Sequence, residues 1–594
     1  MTRTASTPST WTESHPPTGM IQAPCPDGRA ELKIMPAGVA PRWMATPAAV
    51  HGNSDRVPQT ARLMQQIDAL RHLFRRQLDV DNLPAAPKGQ QQTGTRGGAR
   101  GSDLPMAGQH SPTTETRTMH TVEKIGGTSM SRFEEVLQNI FIGQRQGAEL
   151  YQRIFVVSAY SGMTNMLLEH KKTGEPGVYE RFADAHNEDA WLEALDNVQQ
   201  AMTAKNAELF KGEYELQAAN RFIEGRISDV RDCMVSLQQL CSYGHFQLTE
   251  HLMKVREMLA SLGEAHSAFN TVLALKKHGI NARLADLTGW NQREPKAFQD
   301  MVRDSFAGID FNSELVVATG YTHCSEGLMN TFDRGYSEIT FAQIAAATGA
   351  SEAIIHKEYH LSSADPALVG VDKVVTIGRT NYDVADQLSN LGMEAIHPKA
   401  ARTLRRAGIH LRIKNAFEPE HQGTLISQDY CSEKPCVEII AGRKDVFGIE
   451  VFDQEMLGDV EYDLEITRLL KQLKLYVVNK DSDANSITYY VSASRKMINR
   501  ASRLIEERYP MAEVNVHNIA IVSAIGSDLK VKGILAKTVA ALAEAGISIQ
   551  AVHQSIRQVE MQCVVQEEDY DAAIAALHRA LIEPENHGDV IVAA

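Results

Sequence analysis

From Thr121 onward the chain alternates short apolar runs with stretches in which apolar residues recur every three or four positions. VEKI, Val122 to Ile125, reads as a strand, as do IFVVS (Ile154 to Ser158) and LVVAT (Leu315 to Thr319). The last two are almost wholly apolar, which predicts central strands covered on both faces. Between the first two, Phe133, Val136, Leu137, Ile140 and Phe141 share one helical face, and Ser131 with Glu134 forms an S-x-x-E capping box predicted to open that helix. A long helical region follows from about 176 to 282, and further strands and helices reach about 430. Strand, Gly-rich turn, helix and strand in alternation predict an α/β domain over residues 119–430.

Beyond it the pattern repeats itself. FGIEVF (447–452), YDLEITRLLKQL (462–473), LYVV (475–478), ITYYVS (487–492) and MINRASRLIEERY (497–509) spell βαββα. NIAIVS (518–523), ILAKTVAALAEA (534–545), ISIQAV (547–552), VEMQCVV (559–565) and YDAAIAALHRAL (570–581) spell it again. Two small modules are predicted, 431–515 and 516–594. Such units expose a sheet edge or face, so a homodimer through them is expected.

Residues 1–118 differ in kind, with PSTWTESHPPTG near the start and PAAPKGQQQTGTRGGARGSD near the end. A segment this poor in apolar residues cannot offset its chain entropy and is predicted disordered. Within it, Leu63, Ile67, Leu70, Leu73 and Leu78 would give Ala61 to Val80 one amphipathic helical face. Met119 precedes the first well-patterned strand, and a natural start there is the alternative expectation.

No run of about 18 apolar residues is present, so no membrane span is expected. A net charge of −14 argues against a nucleic-acid backbone as ligand and requires anionic substrates to be met by local basic groups. The seven cysteines form no CxxC pair and no zinc-type spacing, which fits free thiols and a cytoplasmic protein.

Lys124, Gly126, Gly127, Thr128 and Ser129 fall between a strand and a helix start. Glycines there let the backbone approach an anion beside unpaired helix N–H groups, so this is a candidate phosphate site. The lysine precedes the glycines, unlike the GxxxxGK[ST] loop.

The string KIGGTSMS resembles the KFGGTS signature of the aspartokinase family, within the amino-acid kinase fold. SAYSGMTN (158–165) resembles that family's SAMxGVTN segment, and SLGEAHSA (261–268) its SxGExxSA segment. TFDRGYSE (331–338) is similar to LGRGGSD, while AIHPKA, IHLRIKNAF and GTLI follow the family's LHP, strand and closing GTLI order. The C-terminal repeats resemble its ACT modules.

The resemblance implies a three-layer αβα kinase domain that transfers the γ-phosphoryl of MgATP to the side-chain carboxylate of L-aspartate, with ATP and Mg2+ as cofactors. An ionised carboxylate is already a nucleophile, so alignment and charge neutralisation are what the protein must supply. By the same resemblance Lys124, Gly126, Gly127 and Arg334 serve phosphoryl transfer. Ser158, Thr164, Glu264, Arg334 and Ser337 hold aspartate, Glu264 taking its α-amino group and Arg334 a carboxylate. Lys124, Gly127, Ser129, Lys357 and Asp365 attend the nucleotide, and no protein metal ligand is expected.

Several positions depart from the family pattern. Asp333 and Tyr336 stand for glycines, and Glu338 for aspartate. IHKEYHLSSADPA (355–367) keeps Ala364, Asp365 and Pro366, but Lys357 stands where an acidic residue is expected and Ala367 replaces an arginine. Glu394 replaces a lysine. A reshaped ATP pocket is expected, with Lys357 or His356 compensating. KEYHLSSADP and HSAFN are most similar to the specialised aspartokinases of ectoine biosynthesis. The acidic loop Asp453 to Asp463 predicts weak feedback by amino acids, since its carboxylates would repel theirs. The competing readings are a regulatory protein with a drifted ATP site and a kinase for another amino acid such as glutamate.

Overall fold

The computed structural model describes residues 120–170, 173–184, 188–290, 292, 294–328, 335–393, 395–456 and 460–584. The N-terminal extension, with the helix expected over Ala61 to Val80, and Asp333, Arg334 and Glu394 lie outside the described residues.

Eight strands form the first sheet: β1 (Thr121–Ile125), β2 (Arg153–Val157), β3 (Ala282–Ala285), β4 (Leu315–Thr319), β5 (Glu352–Lys357), β6 (Arg379–Asn381), β7 (His410–Asn415) and β8 (Thr424–Ser427). Their order is β3-β4-β2-β1-β5-β7-β8-β6, and every pairing is parallel except β7 with β8. β2 and β4 are buried at all five positions; apolar runs account for this throughout β4 and over Ile154–Val157 of β2, while Arg153 is buried through its pairing with Glu123. β1 lies between β2 and β5, with Lys124 beside Val156 and Ile355.

The first helix opens earlier than its capping box predicts. It runs Gly127–Ser131 from an extended Gly126, breaks at Arg132, resumes at Phe133–Val136 and ends as a π-helical turn, Leu137–Ile142. Ser131 is therefore inside a helix. Its hydroxyl donates to the Gly127 carbonyl at 3.2 Å and accepts the Ser161 N–H at 2.9 Å, tying the two loops together instead of capping.

The long helical region resolves into Val178–Ala183, Glu188–Leu209, Glu213–Cys241 and Leu252–Lys277. The last is buried at every position from Leu259 to Ala268, because it is sandwiched between the sheet and the Glu213–Cys241 helix. Its Ser267 hydroxyl donates to the Ser158 carbonyl at 2.8 Å, fixing the loop after β2.

The second sheet contains β9 (Ile439–Phe452), β10 (Tyr476–Ser482), β11 (Ser486–Ser492), β12 (Glu513–Ile525), β13 (Ile549–Gln554) and β14 (Glu560–Gln566). It is antiparallel, in the order β10-β11-β9-β12-β14-β13. Every element of both repeats is present, but a boundary at 515/516 falls inside β12. β9 and β12 run through both repeats: Phe447–Phe452 pairs with Glu513–Asn518, and Ile439–Arg443 with Ile521–Ile525. The second βαββα thus borrows its neighbouring strand from the front half of β9, and the modules interlock.

The segment after β5 leans on this second sheet. Ala364, Leu368, Val369 and Val374 pack with Ala520, Val522 and Leu577. The Ile440 N–H donates to the Ser363 carbonyl at 2.7 Å, and Ser363 Oγ lies 2.9 Å from His578 Nε2.

Gly442 of β9 lets the Tyr570–Leu581 helix close on the sheet. A Cβ there would stand 2.6 Å from the Ile521 carbonyl oxygen and 2.7 Å from the Tyr570 ring. Gly442→Ala should therefore destabilise the C-terminal sheet by about 1–3 kcal/mol, as overpacking does. The check is the shift of its unfolding transition in denaturant.

Candidate active site

The loops following β1 and β2 meet the Leu252–Lys277 helix and the start of the Tyr336–Thr348 helix around a cavity of about 670 Å³. Gly127, Ser158, Thr164, Glu264 and Ser337 line it, so five of the sequence-predicted residues converge although their segments are far apart in the chain. The site lies beyond the carboxyl ends of parallel strands, where α/β sheets leave a crevice. Gly127 is obligatory there, since a Cβ would approach the Ala159 carbonyl oxygen to 2.6 Å. Gly320 is equally constrained: a Cβ would fall 2.7 Å from both the Ser337 Cβ and the Val157 oxygen and 3.0 Å from Glu264 Oε2. Ser158 Oγ and Ser337 Oγ are 3.2 Å apart across it.

Glu264 is 2 % exposed, and among the described residues its Oε2 has no hydrogen-bond partner. Burial lifts its carboxyl well above the usual carboxylate range, with the Lys124 charge pulling the other way. A buried carboxylate left unsatisfied at the wall of a cavity is a receptor for a cation.

Lys124 Nζ donates to Glu338 Oε1 at 3.1 Å, and Glu338 Oε2 accepts the His397 N–H at 2.6 Å. Burial raises the Glu338 carboxyl, but Lys124, Lys357 and the His397 N–H outweigh it and hold Glu338 below its ordinary value. Lys357 is thereby within electrostatic reach of Glu338, the partner of Lys124. Two carboxylates escaped sequence reading. Glu338 was legible only as a departure from aspartate, and Glu358, which accepts the Ser129 hydroxyl at 2.8 Å, gave no signal.

Other expected residues lie elsewhere. The Ser129 hydroxyl is fully buried and engaged by Glu358, so it secures the turn. His356 points away from the cavity to Glu123, 2.8 Å distant, and does not stand in for a missing nucleotide contact. Asp365 is exposed and caps the short Pro366–Val369 helix, accepting the Ala367 N–H at 2.9 Å. Its neighbour Ala364 belongs to the C-terminal core, and Asp365 does not line the cavity.

The family profile for amino acid kinases matches residues 119–415, and an ACT domain profile matches 522–581. The aspartate kinase Ask_Ect of Stutzerimonas stutzeri (strain A1501) is 84% identical over 476 residues, 80% of this chain and all of that protein. The chain belongs to the aspartokinase family. Its fold is shared by E. coli aspartokinase III, solved in complex with aspartate and ADP, at a TM-score of 0.58 and 19% identity over 78% of this chain and 100% of that one. The chloroplastic aspartokinase 1 of Arabidopsis thaliana is 23% identical over 60% of this chain and 65% of its own length.

Within this aspartokinase the family-deviant Tyr336 is buried at the cavity wall, its ring edge-on to Tyr321 at 5.5 Å. It occupies cavity-wall space that a glycine would leave open. Arg256 also lines the cavity, forked onto Glu169 at 2.7 and 2.6 Å.

Because the folded pKa of Glu264 is raised, its contribution to stability is present below the unfolded carboxylate pKa and is lost as pH rises toward the folded value. Glu264→Gln should flatten that loss and leave the free enzyme as stable as wild type or more so at neutral pH. At the same time it should lower kcat/KM for aspartate by roughly 10–100-fold, the worth of a charged hydrogen bond. Melting curves across pH, set beside the kinetics, separate the two effects.

Proposed function

We propose that this aspartokinase transfers the γ-phosphoryl group of ATP to the side-chain carboxylate of L-aspartate, forming 4-phospho-L-aspartate and ADP. The observation that carries the reading is the unsatisfied buried carboxylate of Glu264 in the cavity that Gly127 also lines. One end of that space calls for a substrate ammonium group, the other for phosphate.

In this reading the α-ammonium of aspartate bonds Glu264, and the Ser158, Thr164 and Ser337 hydroxyls orient the carboxylates. The reacting carboxylate needs no base, so catalysis rests on alignment and on neutralising charge. Lys124, steadied by Glu338, meets the transferring phosphoryl group, and the Gly126 and Gly127 backbone approaches its oxygens. Arg334, three residues before Ser337, would clamp a carboxylate, and Lys357 would add positive charge on the nucleotide side.

Among the described residues no group of three or more acidic, His or Cys side chains converges to hold a metal ion. Glu338 and Glu358 are already bonded by Lys124, His397 and Ser129. A magnesium ion here is one that arrives on the nucleotide's phosphates, as Mg2+ commonly does. It would neutralise phosphate charge, while the protein residues hold aspartate in line.

The name of the S. stutzeri relative supports ectoine synthesis as the destination of the product. No helix among the described residues is long and apolar enough to cross a membrane, which agrees with a cytoplasmic enzyme. β10 and β13 end the second sheet, and these edges favour a homodimer through the ACT modules.

Trapping the acyl phosphate with hydroxylamine tests the reaction. Aspartate with MgATP should give hydroxamate well above a blank without amino acid, and glutamate should give far less; equal yields from both acids would overturn the assignment.

Two carboxyls of the acidic loop of the first module are held in their charged form. Asp453 accepts from the Tyr462 hydroxyl and the Glu455 N–H, and Asp463 from Lys480 at 2.6 Å and Tyr489 at 2.6 Å; these bonds hold both carboxyls below their ordinary value. Micromolar lysine or threonine alone should therefore leave the initial rate nearly unchanged, whereas strong inhibition by either would contradict the expected repulsion.

A further inference from the structure

Successive residues of a strand face opposite sides of a sheet. Lys124 and Lys357 serve the side described above; their neighbours Glu123 and His356 face the other. There Arg153 donates to Glu123 Oε1 at 2.8 Å and to the Phe141 and Ile140 carbonyls at 2.9 and 2.6 Å, while His356 Nε2 lies 2.8 Å from Glu123 Oε2. Both Glu123 oxygens are occupied. Burial raises its carboxyl, but Arg153 and His356 hold it well below the ordinary range.

Outside this network opens a cleft of about 430 Å³, between the Gln138–Arg145 segment and the end of β7. Arg145, Arg153, His356 and Lys414 line it, with Glu149 and Glu420. The two carboxylates are exposed, and Glu420 accepts from the Gln144 amide at 2.9 Å. Arg145 and Lys414 are the reverse: half-buried, and among the described residues neither forms an ion pair with a carboxylate. Each has a backbone carbonyl instead, Ile140 at 3.5 Å for Arg145 and Pro419 at 2.9 Å for Lys414. Burial lowers the pKa of both, and the Arg153 charge lowers that of Arg145 further. Glu123, already bonded by Arg153 and His356, and the exposed Glu149 act on Arg145 only through longer-range attraction. Two partly desolvated cations sharing one cleft, with no carboxylate in ion-pair contact among the described residues, leave room for an anion to bond both.

We propose that this cleft, on the sheet face opposite the phosphoryl-transfer cavity, is a binding site for a small oxyanion held between Arg145 and Lys414. A guanidinium fork beside an ammonium suits a phosphate monoester or a small dicarboxylate, and the volume is that of a metabolite site. The ligand would sit one residue through the sheet from Lys124 and from Lys357, against the Arg153–Glu123–His356 network.

Amide hydrogen exchange on the full chain, with inorganic phosphate or succinate against chloride at equal ionic strength, tests the site. The expected result is slower exchange in peptides spanning 137–145 and 411–420 that persists when MgADP and aspartate are saturating. That protection should be reduced in Arg145→Gln or Lys414→Gln and lost in the double variant. Protection by phosphate alone assigns a phosphorylated ligand, and by succinate alone a carboxylate. Absence of protection with both anions in the wild type overturns the proposal, as does protection that MgADP abolishes or that the double variant retains. The wild-type result is decisive even if a variant folds poorly. The readout does not depend on turnover, so its failure is separate from any failure of the kinase reading.

Discussion

The ammonium of Lys124 sits at the end of the central strand of an eight-stranded sheet, its side chain only 10% exposed. A charge in that position is costly unless paired and hydrogen-bonded. Glu338 meets both needs, because its second oxygen is fixed by the His397 N–H. The pair therefore draws together β1, the helix from Tyr336 and the turn into the helix from Pro398. Gly335, at φ +81°, makes the approach possible, since a Cβ there would stand 2.8 Å from the His397 ring. Lys124 is held by this arrangement against the helix whose first residues, Tyr336 and Ser337, line the cavity, although Lys124 is not itself one of the lining residues.

Glu264 is the complementary constraint. It is carried on a helix too deeply buried for water to compensate its charge, and Gly320 makes room for its carboxylate beside Ser337. Lys124 is paired, whereas Glu264 Oε2 has no hydrogen-bond partner among the described residues.

The C-terminal sheet is more than an appended pair of modules. β9 and β12 each serve both repeats, and the same sheet holds the segment from Ser363 to Val374 through apolar packing and the Ser363–His578 contact. That segment begins six residues after Lys357. Its packing involves residues as far on as His578, which explains why Ala364, within a stretch that reads as a nucleotide motif in sequence, belongs to the C-terminal core while Asp365 caps a surface helix.

The chain by itself determined those features that are local. Unbroken apolar runs made β2 and β4 central, helical periodicity and the βαββα repeats placed the helices, and KIGGTSMS with SLGEAHSA marked the two ends of the cavity. Each rests on neighbours within a few residues, where spacing alone settles the outcome. The helix start at Gly127 is the local exception, because the Ser131 hydroxyl found a tertiary partner in Ser161. Tertiary structure decided the pairing of Lys124 with Glu338 across 214 positions, of Ser129 with Glu358 across 229 and of His356 with Glu123 across 233. It also decided which carboxylate stays unpaired. Charges choose partners by distance and by burial, and neither exists until the sheet has brought its strands into register.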